Sequence, residues 1–393
     1  MKCMKPHMIY YDKEAKKYSF TKPKKYDPDQ CIFAPCGKCP ACRSEWRAQL
    51  AQRIKYEMTK YREDEMFFIT LTVNDENIKD VFPNYSLQHR YFQLFIKRLR
   101  RHLEYHKIPH KPIKYFMCGE YGEKGNVKTG IKRPHYHAII FGWKPTGDDI
   151  KFTHTSKKGI QCSISSLLER LWSKSNATPE EIEEFNNNPD YKIPLAKRGG
   201  KLDYLPLGFV EIGNVTMRTA PYMVKYICKF SEIPQKKTVG YEYVEVKEKE
   251  YNKITKKWMT VPRIVKRPIV EEFTINGGPA RKPYLVYPKK ILGLEWFLEN
   301  YKQILRNGYI LDDKGRKHGI PKSFLKWCKE RCENPDILEE YNYYLLKVYN
   351  LQEEETYNLK ELGYLSNVSR WKYYREQGEI RRQMYMSFKN IYR

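Results

Sequence analysis

Two short groups of residues in this chain have the types and spacing that could carry chemistry. The first is Pro134-His135-Tyr136-His137-Ala138-Ile139-Ile140-Phe141-Gly142. Side chains two apart on a β-strand point to the same face, so His135 and His137 would present two imidazoles side by side. A divalent-metal site requires that arrangement. The apolar run that follows predicts a central strand holding both rings, with Tyr136 turned the other way into packing. A metal serving phosphodiester chemistry also wants an anionic oxygen. Glu120, in Met117-Cys118-Gly119-Glu120-Tyr121-Gly122, ends the preceding predicted strand, and a hairpin would bring its carboxylate beside the imidazoles. Glu123, in the turn, is the alternative. Taken alone, a His-x-His pair has a competing explanation, two histidines on a half-wet sheet face.

The second group is Tyr222-Met223-Val224-Lys225-Tyr226-Ile227-Cys228-Lys229. Tyrosines four apart stack on one helix face. Each is followed three residues later by a lysine, Lys225 and Lys229. A phenol becomes a nucleophile when it loses its proton, and a nearby ammonium favours the phenolate. Thr219 could cap this helix and Pro221 fits its first turn, which puts Tyr222 near the positive end of the helix dipole, where a phosphate is welcome. The competing explanation is core packing of both rings. A third group, Cys36, Cys39 and Cys42, has Cys-x-x-Cys-x-x-Cys spacing, with Cys31 as a fourth thiolate for structural zinc. The spacing also resembles part of an iron–sulfur motif. Cys3, Cys118, Cys162, Cys228, Cys328 and Cys332 read as scattered or buried thiols.

These side chains need elements to hold them. Residues 1–45 are rich in Lys, Pro and Cys and read as loop. Trp46, Leu50, Ile54 and Met58 recur at helical spacing over 44–62. Phe67–Val73 is a β-branched and aromatic run that predicts a strand. Ser86 is placed to cap a helix reaching about His102, with Leu87, Tyr91, Leu94, Phe95 and Leu99 inward and Lys97, Arg98, Arg100 and Arg101 in water. Strands are predicted over 113–121, 135–141 and 208–216, a turn over 122–130, and helices over 165–173 and 219–230. Thr178-Pro179-Glu180-Glu181 is a capping box opening a further helix. Alternating rather than continuous apolar character in the strands predicts an antiparallel sheet covered by helices on one face, an α+β sandwich. Residues 231–270 alternate Val, Tyr, Lys and Glu and predict an exposed hairpin. Beyond 285 the chain turns helical. Asn334-Pro335 is a helix start, followed by Leu338, Tyr341, Leu345 and Val348 at helical spacing.

Composition narrows the partner. Of 393 residues, 73 are Lys or Arg and 47 Asp or Glu, a net charge of +26 that attracts polyanions. The 33 tyrosines interleaved with basic residues suit stacking on unpaired bases. Hydrophobic residues at 41 % allow a true core and exclude wholesale disorder. No apolar run suits a signal peptide or a membrane span, so the 10 cysteines are expected to be free thiols or metal ligands in a reducing compartment.

Taken together, the ordered groups resemble the HUH endonuclease superfamily. Phe68-Ile69-Thr70-Leu71-Thr72 resembles its first motif, His135-Tyr136-His137 its second and Tyr222-Met223-Val224-Lys225-Tyr226 its third. The order of Cys36–Arg43, Cys118–Gly122, Arg133–His137, Arg281-Lys282-Pro283 and Gly293–Phe297 resembles the replication initiators of gokushoviruses, within the Microviridae, over about residues 30–325. The chain departs from them in a longer turn between Glu120 and His135 and in the lysine-rich segment 231–270.

The resemblance implies a palm like that of RNA-recognition motifs, with a helical C-terminal extension. Its implied organisation is a Cys-rich segment and helix (1–62), a nicking domain (63–232), a hairpin-like insertion (233–285) and a mainly helical remainder (286–393). It further implies Mg²⁺ or Mn²⁺ held by His135, His137 and Glu120, nucleophilic attack by Tyr222 or Tyr226 assisted by Lys225, and DNA contacts from Lys132, Arg133 and Lys229. The implied partners are single-stranded and replicative-form viral DNA with host polymerase and helicase, in the cytoplasm of a bacterium. Two other classes fit the residues: a non-enzymatic nucleic-acid-binding protein with a cysteine-bound metal, and a metallohydrolase that uses water as nucleophile.

Overall fold

The computed structural model describes residues 3–14, 16–75, 77–122, 130–155, 159, 161–187, 201–215, 238–252, 257–270, 274–289, 291–312 and 315–391. The chain forms two compact units, one from 61–287 and one from 1–60 together with 288–393. The predicted helix over 219–230, with Tyr222, Lys225, Tyr226 and Lys229, lies outside the described residues. So does most of the predicted turn over 122–130, with Glu123.

The discontinuous unit opens with β1 (His7–Asp12), β2 (Lys17–Ser19) and β3 (Tyr26–Ala34), a three-stranded antiparallel sheet in the order β2-β1-β3. Helix α1 (Pro40–Met58) follows, with Pro at its first turn and Cys39 as N-cap. Leu50, Ile54 and Met58 are buried as their spacing predicts, whereas Trp46 is exposed.

The second unit is built on β4 (Met66–Leu71), α2 (Ile78–Val81), α3 (His89–Tyr105), β5 (Lys114–Tyr121), β6 (Pro134–Phe141), β7 (Ile150–Thr155), β8 (Gln161–Ser165), α4 (Ser166–Leu171), α5 (Pro179–Asn187) and β9 (Val210–Asn214). A long antiparallel pair, β10 (Thr238–Asn252) and β11 (Lys257–Val270), comes next, then the short β12 (Thr274–Ile275), β13 (Gly278–Pro279) and β14 (Tyr284–Val286). Seven of these strands form one sheet in the order β14-β5-β6-β4-β9-β8-β7, with every neighbouring pair antiparallel. This is the α+β class expected from the sequence.

The core explains the sheet's sidedness. Phe67, Ile69 and Leu71 pair across the ladder with Ile140, Ala138 and Tyr136, so all six side chains share one face. That face meets Phe92, Phe95, Ile96, Leu99 and Leu103 of α3, Leu168 and Leu171 of α4, and Trp172, in a single cluster. Each such side chain contributes roughly 1.5–3 kcal/mol by leaving water. The opposite face at the same pairs carries Phe68, Thr70 and His137.

Local signals hold in part. Thr178 and Glu181 form the expected reciprocal capping box, at 3.2 and 2.9 Å. Ser165 caps α4, accepting from the Leu168 N–H at 3.2 Å. Two expectations are corrected. Ser86 does not cap α3, whose N-cap is Gln88 with no side-chain bond. The Ser86 hydroxyl instead accepts the Arg281 N–H at 2.8 Å, a partner far away in sequence. Arg98 is not a solvated side chain. It is half-buried, and its Nη1 donates to the Leu171 and Ser173 carbonyls at 2.9 and 2.8 Å, tying α3 to the end of α4.

The discontinuous unit closes with α6 (Leu294–Asn307), β15 (Ile310–Leu311), β16 (Lys317–His318), α7 (Lys322–Lys329), α8 (Pro335–Glu361) and α9 (Asn367–Ile391). Two charged residues of α1 position the start of α6. Glu57 accepts the Gly293 N–H at 2.7 Å, and Arg53 donates to the carbonyls of Leu292 and Lys289 at 3.0 and 2.6 Å. Gly293 has φ +71°, and a Cβ there would lie 2.7 Å from the Arg53 carbonyl oxygen, so only glycine fits. Asn334 caps α8 as expected, accepting from the Asp336 and Ile337 N–H groups. The buried face of α8 is corrected. Leu338 and Leu345 are exposed, while Ile337, Glu340 and Leu359 are buried. Among the described residues no helix is long and apolar enough to cross a membrane.

Candidate metal centre

Strand pairing sets the site. In the β5–β6 ladder Glu120 stands directly opposite His135, and Cys118 opposite His137. His135 and His137 lie two apart on β6 and therefore share the face that Glu120 occupies. Tyr136, between them, is fully buried on the other face and donates its hydroxyl proton to the Gln88 carbonyl. Burial pushes its phenol well above the ordinary tyrosine range. The ring is thus a packing element that holds the β6 backbone against the core.

The three functional groups meet at one atom. Glu120 Oε1 lies 3.2 Å from His135 Nε2 and 3.3 Å from His137 Nε2. All three side chains are mostly but not fully buried, with 13–16 % of each exposed, so solvent and small ions can reach them. The far nitrogens are also engaged. His135 Nδ1 lies 3.1 Å from the Arg133 carbonyl, which can only accept, so Nδ1 carries a proton. His137 Nδ1 lies 3.0 Å from Thr70 Oγ1, and the hydroxyl can accept its proton. Phe68 stacks on the His137 ring at 5.4 Å between centroids.

With both Nδ1 positions protonated, each Nε2 turns a lone pair toward a carboxylate oxygen. Three electron-rich atoms at this separation need a cation among them, a proton or a metal. The donor set of two imidazole nitrogens and one carboxylate oxygen fits a divalent ion, and the carbonyl and hydroxyl behind the rings orient them in the way such ligands are usually held. Burial alone would raise the Glu120 carboxyl, but the hydrogen bonds from His135 and His137 outweigh it and pull the group down to about 2.

Residues 66–231 match the family described as replication-associated protein ORF2. The resemblance read from the sequence stands on that match, and the matched segment contains Glu120, His135 and His137 as well as Tyr222 and Tyr226. The chain is 26 % identical over 322 residues to Replication-associated protein VP4 of Bdellovibrio phage phiMH2K, covering 81 % of this chain and 74 % of the relative. It is 33 % identical over 155 residues to Replication-associated protein ORF4 of Chlamydia phage 1, covering 39 % of this chain and 35 % of that relative. The chain is therefore similar to replication-associated proteins of phages. No solved structure matches it.

The other expected site residues fall as follows. Lys132 is exposed, and its backbone is bonded to the Asn276 side chain at 2.8 Å. Arg133 is half-buried and its guanidinium pairs with Asp75. Cys36, Cys39 and Cys42 do cluster, but the fourth thiol is Cys3, which the sequence reading treated as scattered. Cys31 is buried elsewhere and donates its thiol proton to the Asp27 carbonyl at 3.0 Å. Sequence reasoning also missed Thr70 and the Arg133 carbonyl, the two groups behind the histidines. The signal for Thr70 was its place in the first motif, but only the β4–β6 register puts it opposite His137.

Proposed function

We propose that this chain is a rolling-circle replication initiator that nicks single-stranded DNA at a viral origin and transfers the strand through a 5′-phosphotyrosine. The observation that carries the reading is the convergence of His135 Nε2, His137 Nε2 and Glu120 Oε1 within a segment matched to a replication-associated family. Tyr222 or Tyr226 serves as nucleophile, a role supported by the Tyr-x-x-Lys-Tyr pattern in the same matched segment. The phage relatives named as replication-associated proteins support the context.

His135, His137 and Glu120 would hold Mg²⁺ or Mn²⁺, which when bound polarises a scissile phosphate and offsets charge developing on it. The chain's own residues do the rest. The tyrosine oxygen forms a bond to phosphorus while the bond from phosphorus to the 3′ oxygen breaks, and the phenol proton ends on that oxygen. The products are a tyrosine-linked 5′ phosphate and a free 3′-OH that primes a host polymerase. Lys225 stabilises the phenolate or positions the phosphate, and Lys132, Arg133 and Lys229 contact the DNA backbone. After a round of synthesis the second tyrosine attacks the regenerated junction and the earlier ester is resolved, so rejoining needs no ATP.

The test is a denaturing gel of the full chain incubated with labelled single-stranded origin DNA, with and without Mn²⁺. A protein-linked 5′ product is expected only with metal, and it should vanish in His135→Ala and in the double variant Tyr222→Phe/Tyr226→Phe. An adduct that survives the double tyrosine change would falsify the nucleophile assignment. Cleavage without any adduct would favour a hydrolase using water, and binding without cleavage a non-enzymatic DNA-binding protein.

A further inference from the structure

The unit formed by 1–60 and 288–393 carries its own cluster of potential ligands. The Sγ atoms of Cys3, Cys36, Cys39 and Cys42 all lie within 4.8 Å of one another, with Cys3 and Cys39 at 3.9 Å. Four thiolates bound to one zinc ion at about 2.3 Å sit at the corners of a tetrahedron with edges of about 3.8 Å. A cubane iron–sulfur cluster gives each cysteine its own iron and so sets the sulfurs farther apart than a single ion does. We propose that Cys3, Cys36, Cys39 and Cys42 form a tetrathiolate zinc site that fastens the N-terminal residues to the start of α1.

The backbone around the sulfurs is arranged for charged ligands. The N–H groups of Lys38 and Cys39 donate to Cys36 Sγ at 3.4 and 3.3 Å. Those of Cys36 and Lys5 donate to Cys3 Sγ at 3.2 and 3.4 Å, and that of Met4 to Cys39 Sγ at 3.3 Å. A neutral thiol is a weak acceptor, so five amides aimed at three sulfurs suit thiolates. Gly37, at φ +69°, permits the tight turn that directs two of them at Cys36. Cys39 is the N-cap of α1 and Cys42 lies in its first turn, where the helix dipole favours negative charge. Cys3 and Cys39 are buried, which shields the site from exchange.

The clamp reaches further than its ligands. The segment from Cys3 to Pro6 is the surface on which α9 rests. A Cβ at Gly378 would fall 2.8 Å from the Met4 carbonyl carbon, so helix and segment touch along their backbones. Trp371 Nε1 donates to the Pro6 carbonyl at 3.2 Å. Removing the ion frees Cys3 and with it the floor under α9.

The experiment uses the full chain purified under reducing conditions. About one zinc per chain is expected by mass spectrometry of the metal. Cobalt exchange should give the intense sulfur-to-metal charge-transfer bands and visible absorption of a tetrahedral thiolate site. Chelation should expose four additional reactive thiols and speed proteolysis within α9. Cys3→Ser should lose the stoichiometric zinc or shift the cobalt spectrum toward three sulfurs, while Cys31→Ser should retain both. The proposal is overturned if the unaltered chain carries no zinc and its clustered thiols are already reactive or disulfide-bonded. An iron–sulfur chromophore, or loss of zinc in Cys31→Ser with retention in Cys3→Ser, overturns it equally. None of these readouts involves DNA cleavage, so the outcome is independent of the nicking activity proposed above.

Discussion

Thr70 Oγ1 and His137 Nδ1 lie 3.0 Å apart across the β4–β6 ladder, joining the first motif of the sequence to the second through a single side-chain contact. The hydroxyl accepts the Nδ1 proton and leaves Nε2 free to face Glu120 Oε1. Partners of this kind behind a metal-binding histidine typically change affinity 10–100-fold. Thr70→Val keeps the side-chain shape and removes the oxygen. It is expected to weaken Mn²⁺ binding about tenfold without lowering the melting temperature, and Thr70→Ser is expected to restore it. Titration calorimetry with Mn²⁺ decides; an unchanged affinity in Thr70→Val would show that the hydroxyl does not orient the ring.

Metal affinity should fall on acidification, through the histidines rather than the carboxylate. Glu120 is held down to about 2. A carboxyl whose folded value is depressed contributes stability that is present above its ordinary range and lost only as pH falls toward 2, so Glu120 is already ionised at pH 5–7. Imidazoles, with an ordinary value of about 6.5, must give up their Nε2 protons to bind an ion. The logarithm of the Mn²⁺ affinity should therefore rise with pH below about 6.5 with a slope of no more than two. A slope near three would require the carboxylate to titrate in the same range.

Gly142 ends β6 in a conformation that side chains rarely adopt. Its φ is +106°, and a Cβ would sit 2.7 Å from the Lys111 carbonyl oxygen and 2.8 Å from that of Pro112. The same backbone closes two ladders, with the Gly142 N–H donating to Glu65 O and its carbonyl accepting from Lys111, both at 2.8 Å. Gly142→Ala is expected to destabilise the unit by about 2–3 kcal/mol, read as a fall in melting temperature, with the affinity of Mn²⁺ per folded molecule unchanged.

Lys132 and Arg133 should separate in a DNA-binding assay although they are adjacent. Lys132 is exposed, whereas Arg133 is half-buried against Asp75 and its carbonyl holds His135. Each phosphate contact to single-stranded DNA contributes about 0.7 to the slope of log affinity against log salt. Lys132→Ala is expected to reduce that slope by about 0.7 with stability unchanged. Arg133→Ala is expected to lower the melting temperature, because it strands Asp75 and loosens the entry to β6. Equal slopes for Lys132→Ala and the unaltered chain would remove Lys132 from the interface.

Much of the nicking unit could be read in advance because its signals are local. The period of two put His135 and His137 on one face and Tyr136 in the core, and Thr178 with Glu181 announced a helix start that the structure contains. The failures share one cause. Ser86 has a favoured capping side chain, yet Arg281 claims it; Arg98 has a solvent-loving head, yet two carbonyls near the end of α4 bind it. In α8 the apolar repeat marks a helix correctly but puts Leu338 and Leu345 on the wrong side, since burial depends on which neighbours arrive.

The residue order by itself determined the strand carrying both imidazoles, the class of the fold and the family resemblance, because each depends on spacings of a few residues. Which carboxylate meets the histidines, that Thr70 backs one of them, and that Cys3 rather than Cys31 completes the thiol cluster were decided only by tertiary structure. Register and chain reversal bring together atoms separated by 15, 67 and 33 residues. No local preference of the backbone encodes contacts at that range; they form because the ladders and the buried core admit a single register.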